Sequence, residues 1–89
     1  MKELVEEAIK EVNKELDIKE LENISNDTPL FALLDSMGVL DLILEIESRL
    51  QEKYDKYIQI ADETTMDVTK TPFKTFKTLV EFLEDKVNG

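Results

Sequence analysis

Ser36 is the residue of this chain best placed to do chemistry. It lies in the run Leu33-Leu34-Asp35-Ser36-Met37-Gly38, directly before Val39 to Leu50, a stretch of helical periodicity. A helix start carries partial positive charge and unpaired N–H groups, so an anionic group there is favoured. Serine and aspartate at such a place are also ordinary caps, and Asp35 or Ser36 is expected to cap this helix. The chain holds no histidine and no cysteine. That removes the commonest general base, the commonest metal ligand, thiolate sites and disulfides. Asp35 lies next to Ser36, but no base is evident to make the serine a nucleophile. The 21 acidic residues would pair for acid–base work only by chance. They form no Asp-x-Asp-x-Asp-Gly loop with a closing glutamate, which excludes an EF-hand. Neither an enzyme nor a specific metal site is expected.

The elements that must position Ser36 follow from the apolar pattern. Leu4, Val5, Ala8, Ile9, Val12 and Leu16 predict an amphipathic helix over 2–16, with Glu3, Glu6, Glu7, Glu11 and Glu15 on its other face. Residues 17–34 read as a long connection anchored by Ile18, Leu21 and Ile24. Thr28-Pro29 reads as a short helical turn, with Thr28 as N-cap and Pro29 at the first helical position. A second helix is expected from Ser36 to about Lys53. Residues 54–61 read as a packed loop, because a lone strand at Tyr57, Ile58 and Ile60 would have no partner. A short third helix is expected over Asp62 to Val68, with Met66 inward. Thr71-Pro72 breaks the chain. A last helix starts near Lys74 or Thr75 and buries Phe76, Leu79, Val80, Leu83 and Val87, with Phe73 stapling its entry and Phe82 beside the stripe. The expected fold is all-α: one domain, 1–89, a small bundle of three main helices and one short one with a long first loop.

The helix after Ser36 has two apolar stripes. Val39, Leu42, Ile43, Ile46 and Leu50 face a core. Met37, Leu40 and Leu44 share another face at i, i+3 and i+7, flanked by Asp41, Glu45 and Glu47. An apolar strip rimmed with acids suits a basic partner. The formal charge is −10, and no Lys or Arg occurs between Lys19 and Arg49. Such a field repels nucleic acid and anionic membranes and attracts basic protein surfaces. No apolar run approaches the roughly 20 residues of a membrane span, and Met1-Lys2-Glu3-Leu4 opens no signal-peptide h-region. A cytoplasmic monomer without membrane insertion is the expectation.

The run Asp35-Ser36-Met37-Gly38-Val39-Leu40-Asp41-Leu42-Ile43-Leu44-Glu45-Ile46-Glu47 resembles the Asp-Ser-Leu helix of acyl carrier proteins. The likeness extends over the whole chain: amphipathic first helix, long loop, serine, short third helix, terminal helix. It implies that Ser36 carries 4′-phosphopantetheine, delivered from coenzyme A by a phosphopantetheinyl transferase. Asp35, Met37 and Gly38 would flank the arm, and Gly38 would leave space beside it. Asp35, Met37, Leu40, Asp41, Leu44, Glu45 and Glu47 would form the recognition face for loading enzymes and for downstream acyl-transfer enzymes with basic surfaces.

The chain departs from the family pattern in places. Ala32-Leu33-Leu34 stands where a glycine is common, and Met37-Gly38 replaces Leu-Asp. Asp-Ser-Met-Gly is closer to D-alanyl carrier proteins, so an aminoacyl cargo is an alternative to a fatty or specialised acyl group. The resemblance implies a thioester held on the arm, sheltered among residues such as Phe31, Ile43, Ile46 and Leu79 where the cargo is a lipid chain. The reading from another class is an acidic helical adaptor in which Ser36 is only a cap.

Overall fold

The computed structural model describes residues 1–88. Four α-helices and two 3-10 turns make an all-α bundle: α1 (Lys2–Leu16), a 3-10 turn (Lys19–Glu22), α2 (Leu30–Leu33), α3 (Ser36–Tyr54), a second 3-10 turn (Pro72–Lys74) and α4 (Phe76–Asn88). Among the described residues there is no strand. No helix among them is long and apolar enough to cross a membrane. The bundle thus has three main helices and one short one, but the short one is α2, not the expected segment 62–68.

α1 buries Leu4, Val5, Ala8 and Ile9 against the inner stripe of α3, Val39, Leu42, Ile43, Ile46 and Leu50. The two helices run antiparallel. Glu7 of α1 meets Arg49 near the end of α3, while Glu11 to Glu15 share a groove with Asp41 to Glu45. α1 stops at Asp17, which takes a left-handed conformation (φ 54°) and returns its N–H to the Asn13 carbonyl. Aspartate tolerates that region better than most residues. The Asn13 side chain then holds Ile18 twice, accepting its N–H at 2.7 Å and donating to its carbonyl at 3.0 Å. A short polar side chain thereby turns the backbone toward buried Leu21.

The entry to α2 departs from expectation. Pro29 is its N-cap, not its first helical residue. Thr28 is buried, and its hydroxyl accepts from Ser25 N at 2.8 Å instead of capping α2. The main chain here serves a distant helix: Thr28 O accepts from Phe76 N and Asn26 O from Lys77 N, both at 3.0 Å. The first N–H groups of a helix have no internal partner, and the loop supplies acceptors to α4.

α3 ends at Tyr54, one residue past expectation, with Asp55 left-handed beyond it (φ 54°). The following segment packs as a loop, with Ile58 and Ile60 buried and Tyr57 exposed. The helix expected over Asp62 to Val68 does not form, and Met66 is exposed while Thr65 is buried. Asp62 Oδ1 accepts from Thr64 N at 2.8 Å and from its hydroxyl at 2.6 Å. Asp67 Oδ1 does the same for Thr69, at 2.9 and 2.7 Å. These side chains give the backbone an alternative to helical bonding, and two tandem turns result. Hydrogen bonds from the threonine side chains, then from their amides, hold both carboxyls below the usual aspartate range.

Thr71 Oγ1 accepts from Phe73 N at 3.1 Å and opens the second 3-10 turn, which sinks Phe73 into the core. α4 begins at Phe76, slightly later than expected. Thr75 and Thr78 exchange backbone-to-hydroxyl bonds of 3.1 and 3.2 Å, the reciprocity of a capping box. α4 buries Phe76, Leu79, Val80 and Leu83, while Phe82 and Val87 are only half-buried.

Candidate functional site

The start of α3 is built by Asp35. Its backbone is extended, and its Oδ1 accepts from Gly38 N at 2.7 Å. Its carbonyl accepts from Val39 N at 3.0 Å. Asp35 is therefore the cap, and Ser36 is the first helical residue. Ser36 is exposed, and no hydrogen bond engages its hydroxyl among the described residues. Among the described residues the N–H groups of Ser36 and Met37 have no partner, as expected in the first turn of a helix. The hydroxyl thus sits free at the positive end of a 19-residue helix.

Gly38 does not leave space beside Ser36. It is buried, and a Cβ built on it would lie 3.2 Å from Leu34 Cδ2 and 3.3 Å from both Leu34 Cβ and Asp35 Oδ1. Its missing side chain is what lets Leu34 pack against the first turn. Glycine serves here a close approach of chain to chain, on the inner side of the helix rather than the outer.

The outer stripe of α3 is open. Met37 is 64% exposed, Leu40 44% and Leu44 65%, while the inner stripe is fully buried. The long loop does not cover it. Among the expected recognition acids, Asp35 is exposed but serves the cap, and Asp41 is exposed and in no ion pair among the described residues. The other two carboxylates are engaged. Glu45 Oε2 accepts from Arg49 Nε at 2.8 Å, and Arg49 Nη1 reaches Glu7 of α1 at 3.3 Å. Glu47 Oε2 accepts from Ile60 N at 2.9 Å. It pins the connection between α3 and α4 and seats Ile60 in the core.

Ile43, Ile46 and Leu79 are buried members of the one core, and Phe31 is half-buried against that core. A lipid chain would enter among them only if the helices parted. An open groove of about 550 Å³, which Leu44 of the stripe also lines, lies instead between α1 and α3. Its α1 wall contains Val12 and Glu15, read from the sequence only as members of a buried face and a solvated one. The pairing of Glu47 with Ile60 had no local signal. The tandem turns did, since Asp-x-Thr occurs at both 62–64 and 67–69.

Comparison with protein families, with curated proteins and with solved structures finds no match for this chain.

Proposed function

We propose that this protein is an acyl carrier, with 4′-phosphopantetheine attached to Ser36. The observation that carries the reading is the division of labour at the start of α3. Asp35 caps the helix, and Ser36 stands exposed with a free hydroxyl. A serine with no structural task, at a helix start, beside an uncovered apolar strip, is suited to modification by a docking enzyme. The alternative is an acidic adaptor in which Ser36 stays unmodified and Asp35 provides the cap.

Each part of the site has a role in this reading. Ser36 Oγ forms the bond to the arm's phosphate, displacing the nucleotide of coenzyme A, and its proton passes to a base on the transferase. The N–H groups of Ser36 and Met37 and the helix dipole would hold the phosphodiester of the arm. The arm would supply a terminal thiol for an acyl thioester, a sulfur this chain lacks. Met37, Leu40 and Leu44 give partners an apolar contact, and Asp41 gives them a charge. Contacts of this kind bind weakly and yield to salt, as a shuttle requires. The burial of Ile43, Ile46 and Leu79 supports a cargo that rides outside the core, such as a short acyl or aminoacyl group.

The test is intact mass after incubation with coenzyme A and a broad-specificity phosphopantetheinyl transferase. The wild type should gain one phosphopantetheine and Ser36→Ala none. No gain on the wild type, with the transferase active on a control carrier, would leave the acidic adaptor as the better reading.

A further inference from the structure

The exposed stripe of α3 is too small to be a whole docking surface. Even a transient interface of about 1,000 Å² in total covers about 500 Å² on each partner, a patch about 13 Å in radius. Three side chains fall far short of that. Leu44 lies eight residues beyond Ser36, about 12 Å along the helix. A protein seated over Ser36 and the stripe must therefore cover a neighbouring element as well, and packed helix axes lie only about 8–10 Å apart.

The groove beside the stripe has a defined chemistry. Val12 of α1 and Leu44 of α3 are its two apolar residues among four carboxylates and the ammonium of Lys14, and the Leu44 side chain belongs to groove and stripe alike. Two of its charges are already answered. Glu11 pairs with Lys14 at 3.0 Å, and Glu45 pairs with Arg49 at 2.8 Å. Glu15 on the α1 rim and Asp41 on the α3 rim have no ion pair among the described residues. Two apolar residues and two uncommitted carboxylates in one acidic groove, whose own cation Lys14 is engaged by Glu11, suit a long aliphatic stem with a cationic head. A planar guanidinium bridges two carboxylates better than an ammonium does.

We propose that the groove between α1 and α3 receives an arginine side chain of the enzyme that docks over Ser36. The docking surface then spans two helices, with Glu15 and Asp41 binding one guanidinium. This inference rests on the carrier reading.

The experiment measures loading kinetics with coenzyme A and the transferase for the wild type, Glu15→Gln, Asp41→Asn, the double variant and Glu3→Gln. It adds transferase affinity in a Ser36→Ala background, where loading cannot occur. Glu3→Gln removes the same charge from the same helix at its far end and should stay within about twofold of wild type. Glu15→Gln and Asp41→Asn should each raise KM and weaken affinity by about three- to tenfold, with kcat unchanged. The effect of the double variant should depart from the product of the two single effects, because both carboxylates bind one group. Wild-type behaviour of Glu15→Gln with Asp41→Asn impaired would confine docking to α3 and overturn the inference while leaving the carrier reading intact. Multiplying effects in the double variant would overturn the shared arginine. A wild type that takes no arm, with the transferase active on a control carrier, overturns both.

Discussion

At the scale of residues, the start of α3 assigns different work to three neighbours. Asp35 holds the first turn, Ser36 presents a hydroxyl, and Gly38 admits Leu34. Ser36→Ala should therefore change stability by less than about 0.5 kcal/mol, as an exposed substitution away from any cap. Asp35→Ala should cost about 1 kcal/mol while leaving the hydroxyl in place. Urea denaturation of the two variants separates them. Gly38→Ala gains helix propensity, but its methyl would press on Leu34 and on the Asp35 carboxylate at 3.2–3.3 Å. Overpacking outweighs propensity when the neighbour is a buried branch point. The expected result is a net loss of about 1 kcal/mol in the same denaturation. That a helix starts at Ser36 was legible in the sequence, because its run of neighbours is local. That Gly38 faces inward was not, because the reason is a contact with the chain segment before the helix.

At the scale of elements, α1, α3 and α4 were legible because each buries one face at helical spacing. The connection between α3 and α4 was not, because its order comes from polar side chains that apolar periodicity ignores. Glu47 shows the difference. Its acidity and position on α3 suggest a docking residue, yet its carboxylate accepts the N–H of Ile60, thirteen positions on. Glu47→Ala should strand that donor beside the core and cost about 1–3 kcal/mol, while Glu47→Gln keeps an acceptor and most of the stability. Thermal unfolding of both variants tests this. The tandem turns at Asp62 and Asp67 add a dependence on acid. Both carboxyls titrate below their ordinary range. The stabilisation they give is present at neutral pH and is lost as pH falls below about 4, through the lowered values. In an acid titration followed by NMR, the Thr64 and Thr69 amides should move together with these carboxyls, and Asp62→Asn should remove the Thr64 response.

At the scale of the molecule, the charge is lopsided. The chain carries −10 in total, and the stretch from Glu20 to Ser48 has no cation to offset its acids. Self-repulsion of this size opposes the compact state. Raising salt from about 0.05 to 0.5 M should therefore raise Tm while weakening attachment to any basic partner, since both effects follow from one screening length. A rise in Tm matched by tighter binding would contradict the charge-led surface.

The bonds from Phe76 and Lys77 back to Thr28 and Asn26 have a topological meaning. They close the chain into a ring by main chain alone, with α3 and its serine inside the closed arc. The last helix cannot detach without breaking its two main-chain bonds to the loop that leads to Ser36. Slow hydrogen exchange at the Phe76 and Lys77 amides would thus keep time for openings of that loop, read from the far end of the sequence.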